Sequence, residues 1–250
     1  MPDQQHSAAQ RRQQASSFGA AAATYERGRP PYPPEAVDWL LPDGATRVLD
    51  LGAGTGKLTR QLRDRGLDVI AVEPSAGMRD QLTRAVPGIT AYAGSAEEIP
   101  LPDGSVDAVL VAQAWHWVDR SRAVPEVARV LVPGGRLGLA WNMRDEREAW
   151  VAELGRILHD AGEPDREDQA TIGPPFGPVE RHDVAWQHRI SRDELIDMAA
   201  SRSYVLTMPD EQRARVLAQV RHLADTDPAL AGSDELVLPY VTECYRAQLG

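Results

Sequence analysis

The sequence predicts a doubly wound α/β fold: a mostly parallel seven-stranded sheet with helices on both faces and a small helical cap. Three observations carry this expectation. Short apolar runs alternate with helical stripes from residue 48 to residue 142, and such alternation implies parallel strands joined by crossover helices. The run Val48-Leu49-Asp50-Leu51 breaks into glycines at 52, 54 and 56, the outline of a buried strand entering a tight turn whose backbone approaches a ligand. The 250 residues, 42% of them hydrophobic, fit one substantial domain.

Residues 1–15 are polar and rich in Gln and Ala, which predicts a disordered tail and no signal peptide. Residues 16–250 are expected to form the single domain, with an N-terminal lid over 16–45. In that lid Tyr25-Glu26-Arg27-Gly28-Arg29-Pro30-Pro31-Tyr32-Pro33-Pro34 is proline-dense, and Glu35 to Leu41 reads as a short helix. The first strand ends at the glycines. Leu58 and Leu62 then lie four residues apart, as on a helix packed against a sheet. Asp68 to Glu73 reads as the second strand, stopped by Pro74. Met78, Leu82, Ala85 and Val86 make a helical stripe, and Ile89 to Ala93 is the third strand. Val106 to Ala112 is the fourth, Val124, Val127, Ala128 and Leu131 form another stripe, and Gly135 to Asn142 is a fifth, near-continuous apolar strand. Beyond Met143 the pattern loosens into two expected cap insertions, about 144–178 and 191–225. Trp150, Val151, Leu154, Ile157 and Leu158 form a helical stripe, residues 162–178 a polar loop, and Arg181 to Ile190 a strand. Ser191 and Glu194 have capping-box spacing, Pro209 opens a further helix, and Leu236 to Arg246 returns as the last strand.

The glycine turn admits three readings. A phosphate-binding P-loop needs a glycine five residues before Gly56 and Ser or Thr after Lys57; Leu51 and Leu58 stand there. The dinucleotide fingerprint needs a third glycine where Lys57 stands. What remains is G-x-G-x-G directly after an acidic segment. That pattern resembles the first motif of the class I S-adenosylmethionine-dependent methyltransferases. Glu73 follows about 20 residues later, where a carboxylate accepts hydrogen bonds from ribose hydroxyls. Ser95-Ala96-Glu97 resembles the segment that lies against the adenine, with Ser95 where the family often has Asp. Leu131-Val132-Pro133-Gly134-Gly135-Arg136-Leu137 matches the turn before the family's fifth strand. The resemblance covers roughly residues 45–143.

The resemblance implies a Rossmann-like methyltransferase fold and S-adenosyl-L-methionine as cofactor. It assigns the cofactor site to Tyr25, Arg29, Asp50, Gly52, Ala53, Gly54, Thr55, Glu73, Pro74, Met78, Ser95, Ala96, Glu97, Gln113 and Ala114. An arginine at 29 can pair with the cofactor's methionyl carboxylate.

Gln113-Ala114-Trp115-His116-Trp117-Val118-Asp119 directly follows the fourth strand. A histidine there can take a proton from a hydroxyl as it attacks the methyl group, so His116 is the expected general base. Asp119 is expected to cap the next helix. Trp115, His116, Trp117, Trp141 and Tyr204 are the expected substrate contacts. The Trp-His-Trp segment, the N-terminal Tyr and Arg-Pro run and Ser201-Arg202-Ser203-Tyr204 are similar to a subgroup resembling trans-aconitate methyltransferases and related small-molecule enzymes.

The net charge of −10 argues against a nucleic-acid substrate, and no stretch approaches a membrane span. The single cysteine, Cys244, fits a reducing cytoplasm. No cluster has metal-ligand spacing, so no metal is expected. The expected activity is methyl transfer to an oxygen of a small metabolite, a hydroxyl ahead of a carboxyl, by a monomer or homodimer. Two rivals stay open: a cofactor-binding protein without catalysis, and a nicotinamide-dependent oxidoreductase with a degenerate fingerprint.

Overall fold

The computed structural model describes residues 28–161 and 170–250. Its strands are β1 (Arg47–Leu51), β2 (Asp68–Val72), β3 (Thr90–Tyr92), β4 (Val106–Ala112), β5 (Leu131–Arg144), β6 (Glu180–Ser191) and β7 (Glu235–Gln248). They form one seven-stranded sheet in the order β3-β2-β1-β4-β5-β7-β6. The pairings among β1 to β5 are parallel, while β7 runs antiparallel to both β5 and β6. From β1 the chain winds outward to β3, then returns to the other side of β1 for β4. Strand order therefore reverses between β1 and β4, and a crevice opens outside their carboxyl ends.

Alternation along β1 sends Val48 and Leu49 to opposite faces. On one face, α1 (Pro34–Leu40) and α2 (Lys57–Arg63) bury Val37, Leu40, Leu58 and Leu62 against Val48, Ala108, Leu110 and Ala140. On the other, α4 (Arg120–Val130) buries Val124, Val127 and Val130 against Leu49, Val109, Leu139 and Trp141. Each fully buried aliphatic side chain contributes about 1.5–3 kcal/mol. Between them in the chain, α3 (Ala76–Ala85) buries Met78 and Leu82. Gly56 begins α2 at φ +90°, where an added Cβ would stand 2.9 Å from Leu82 Cγ, so glycine there lets α2 and α3 approach closely. Cys244 is buried against α1, and burial pushes its thiol pKa up to about 12.

Helices α5 (Ala149–Asp160), α6 (Arg192–Ala200), α7 (Ser203–Leu206) and α8 (Asp210–Thr226) build a second core with Trp150, Leu154, Leu195, Val220, Leu238 and Tyr240. Tyr240 pairs with Arg144 at the carboxyl end of β5, which places this core beside the crevice. The Ser191–Glu194 capping box is formed in full. Arg192 closes the far end by donating to the carbonyls of Leu230 and Ser233 at 2.7 and 2.9 Å. Among the described residues no helix is long and apolar enough to cross a membrane.

Several strand boundaries differ from expectation, among them those of β3, β5 and β7. Only Thr90–Tyr92 of the expected third strand pairs with β2, because it is a sheet edge with no second neighbour to extend it. The fifth strand starts at Leu131 rather than Gly135, since Leu131 pairs with Val106 and a register shift before Ala108 absorbs the Pro133-Gly134 turn. The last strand runs on to Gln248, which pairs with Arg136. Residues 1–15 and Tyr25 lie outside the described residues.

Candidate functional site

At the carboxyl ends of β1 and β4 lies an open recess. Of the expected cofactor residues, Arg29, Asp50, Gly52, Ala53, Gly54, Thr55 and Gln113 line it. Its floor is the turn after β1, tied down by Gly52 N–H donating to Val72 O at 2.8 Å. Gly52 has φ +74°, and a Cβ on it would lie 2.9 Å from Ala114 Cβ, so a side chain at 52 is excluded twice. The outer wall is the strap Arg29–Tyr32. Gln61 and Tyr32 exchange two hydrogen bonds, Tyr32 N–H to Gln61 Oε1 at 3.0 Å and Gln61 Nε2 to Tyr32 O at 2.6 Å. Arg29 Nη2 donates to Ser201 O at 3.4 Å, linking the strap to the helical cap.

Two buried carboxylates stand by the recess. Asp50 is 1% exposed and accepts from Thr59 Oγ1 at 2.5 Å. Burial, opposed by the Thr59 hydrogen bond and reinforced by nearby Glu73, raises its pKa to about 7. Glu73, just beyond β2, accepts Gly54 N–H at 3.0 Å on Oε2 and Ser75 N–H at 2.9 Å on Oε1. Burial raises its pKa too, against the pull of these two amides. With one bond on each oxygen, the carboxylate keeps a lone pair on each for a further donor.

The remaining expected cofactor residues gather at the neighbouring strand ends, outside the recess lining. Pro74 is exposed and Met78 is buried at the start of α3. Ser95 forms an isolated bridge with Glu98, and Ala96 is buried in the core. Glu97 Oε1 accepts Asp119 N–H at 2.7 Å, so this carboxylate fastens the segment after β3 to the start of α4. Ala114 lies against Gly52. Asp119 caps α4, its Oδ1 accepting Ser121 N–H at 3.1 Å.

None of the expected substrate residues lines the recess. Trp115 is completely buried and donates to Thr171 O at 3.4 Å; the one-turn 3-10 helix Trp115–Trp117 tucks it into the core beneath the loop. Trp141 is 1% exposed, edge-on to Tyr245. Tyr204 packs against the cap core. His116 is exposed and stacks obliquely on Trp117 at 4.7 Å. Its Nδ1 lies 3.5 Å from Trp141 Nε1. An indole N–H can only donate, so Nδ1 accepts and the neutral ring carries its proton on Nε2. Trp141 and recess-lining Asn142 are consecutive strand residues and face opposite sides of the sheet. His116 therefore sits on the Trp141 side.

The chain matches the family model described as a methyltransferase domain over residues 49–139. An uncharacterised methyltransferase of Mycobacterium tuberculosis is 61% identical over 96% of this chain and 98% of its own length. A methyltransferase-like protein of Schizosaccharomyces pombe is 35% identical over 93% of this chain and 95% of its own. The chain belongs to the class I S-adenosylmethionine-dependent methyltransferases. A solved candidate type II methyltransferase from Anaeromyxobacter dehalogenans superposes with a TM-score of 0.69 at 28% identity, covering 88% of this methyltransferase and 97% of that chain.

S-adenosyl-L-methionine is the cofactor of this methyltransferase, and the residues present fit it. The turn at Gly52 leaves a cradle that any side chain would fill. Glu73 is a buried carboxylate already oriented by two amides, suited to a diol. Asp50 puts on the lining a carboxyl that a cationic ligand would hold ionised, while Arg29 and Lys57, also on the lining, suit a carboxylate. Sequence reasoning did not assign Pro30, Tyr32, Lys57, Leu58, Ala112 or Asn142 to the recess. Asn142 carried a usable signal: a polar residue closing an apolar strand on an inward face.

Proposed function

We propose that this methyltransferase moves the methyl group of S-adenosylmethionine to an oxygen of a small metabolite. The observation that carries the reading is the Glu73 carboxylate, buried, raised in pKa and aimed by Gly54 and Ser75 beside a glycine-floored recess at the strand-order reversal. When bound, the cofactor supplies an electrophilic methyl group on a sulfonium. Glu73 holds the ribose, with Pro74, Met78 and Ser95–Glu97 on the adenine side. Asp50, Gly52–Thr55 and Gln113 hold the methionyl end, and Arg29 pairs with its carboxylate. Such a displacement needs chiefly alignment and exclusion of water, which the strap Arg29–Tyr32 and the cap support.

His116 is the residue we assign to the acceptor. As a general base it would need a free lone pair at Nε2, and the Trp141 contact favours the tautomer with the proton there. That favours a second reading, in which Nε2–H donates to an acceptor oxygen that is already anionic, a carboxylate. Comparing His116→Ala with the parent at saturating cofactor decides whether the residue acts: unchanged turnover removes it from the mechanism.

Calorimetric titration with S-adenosylmethionine and S-adenosylhomocysteine tests the site. Micromolar binding of both supports it and justifies screening hydroxyl and carboxyl metabolites for transfer. A folded protein that binds neither overturns it.

A further inference from the structure

A chain of hydrogen bonds crosses three adjacent strands and ends on the recess wall. Trp186 Nε1 on β6 donates to Thr242 Oγ1 on β7 at 2.8 Å. Thr242 Oγ1 donates to Asn142 Oδ1 on β5 at 2.6 Å. Asn142 Nδ2 donates to Pro31 O at 3.0 Å, in the strap. Each link has one sense. The indole can only donate, so Thr242 accepts from it and spends its own proton on Asn142. That fixes Oδ1 toward Thr242 and leaves Nδ2 for Pro31, which has only a carbonyl to offer. The opposite amide flip would set Asn142 Oδ1 against Pro31 O, and Nδ2 against a hydroxyl already committed.

The chain lies where apolar side chains would pack more simply. Thr242 is completely buried, Asn142 is 4% exposed, and they are direct cross-strand partners. Trp186 is held in place by stacking on Tyr240 at 5.3 Å. Buried polar chains are costly unless fully satisfied, and when satisfied they specify one geometry. Here that geometry is the orientation of one carboxamide on the recess lining.

We propose that Thr242 and Trp186 are positioning residues for the cofactor site: through the flip state of Asn142 they hang the Arg29–Tyr32 strap from the sheet and hold the outer wall of the recess in its ligand-ready place. This rests on the recess being the cofactor site. Neither residue lines the recess. Their effect passes entirely through Asn142 and Pro31.

The test compares Thr242→Val, which keeps the shape and removes the hydroxyl, with Thr242→Ser, which restores it. Two readouts are taken on the full chain. One is the Kd for S-adenosylhomocysteine. The other, in protein without ligand, is hydrogen exchange of the strap; Pro30, Pro31 and Pro33 carry no amide proton, so Tyr32 N–H reports on it. Thr242→Val is expected to weaken binding and speed Tyr32 exchange by about three- to tenfold each, with Thr242→Ser near the parent. Parent-like binding and exchange in Thr242→Val overturn the proposal. So does a Thr242→Val whose exchange rises equally throughout the sheet with no rescue by Ser, which is a folding defect alone. If the parent does not bind the homocysteine product, the recess assignment fails, and the exchange comparison still decides whether the chain holds the strap. Trp186→Phe, which keeps the ring stack and removes the donor, repeats the comparison from the other end should Thr242→Val not fold.

Discussion

Glu73 reaches across from the end of β2 to accept the backbone N–H of Gly54 at 3.0 Å in the turn after β1. This contact fixes two strand ends and one glycine turn to each other, and it holds a buried carboxylate against the turn that floors the recess. Replacing Glu73 by Gln puts an NH2 group against either the Gly54 or the Ser75 amide. Charge-assisted bonds of this kind contribute about 1.5–3 kcal/mol. Glu73→Gln is expected to weaken S-adenosylhomocysteine binding by about ten- to a hundredfold in calorimetry; unaltered affinity would sink the ribose assignment.

Asp50 gives the fold a pH dependence of definite sign. Its folded pKa of about 7 lies above its ordinary 3.8, chiefly through burial. The stability it contributes is fully present below about pH 3.8 and is lost as pH rises through about 7. Asp50→Asn keeps an acceptor for Thr59 and has no charge to bury. Thermal melts of the ligand-free proteins should show the variant gaining on the parent steadily from pH 4 to pH 8. A constant gap over that range would contradict the buried-carboxylate account.

Gln113 is the one non-glycine residue among those described with positive φ, at +59°. The left-handed region costs an ordinary residue roughly 1–2 kcal/mol. Gln113→Ala and Gln113→Gly both lose the 3.3 Å bond from Nε2 to Asn142 O, but only glycine relieves the backbone. Gln113→Gly should therefore be the more stable of the two by about 1 kcal/mol, some 2–4 °C in Tm. Equal melting temperatures would mean that the strain is not there.

Arg129 ties the loop before β4 to α4. Its guanidinium donates to Ile99 O and Leu101 O at 2.9 and 2.8 Å and to both oxygens of Glu126. The hydrogen bonds from Arg129 hold the Glu126 pKa down at about 2. That stability is present above the ordinary 4.5 and is lost as pH falls through about 2. Arg129→Met should cost about 2–3 kcal/mol at pH 7, read as a lower Tm, with the gap to the parent closing as the solution is acidified toward pH 2.

The strand, glycine turn and helix from Val48 to Arg63 were legible because each local preference points the same way: an apolar run, residues without Cβ, then leucines four apart. The Ser191–Glu194 cap was legible for the same reason. The chemistry after β4 was not. Which of Trp115, His116 and Trp117 faces inward depends on a single 3-10 turn, and no periodicity in three residues fixes its phase. Asn142 and Thr242 each close an apolar run, which marks them as polar residues on an inward face, but their partnership exists only once β7 lies beside β5. Pairing between residues a hundred positions apart leaves no trace in local spacing.

In the described sheet β6 pairs with β7 alone, and residues 192–234 separate the two in the chain. β6 is thus an edge strand, and it precedes in the chain the one strand that pairs with it. An unpaired edge is a template for the wrong neighbour. The helices α6 to α8 lie between the two in the chain, and they pack against the side chains of both strands. The cap core and the β6–β7 edge of the sheet thus share one apolar cluster, and neither is complete without the other.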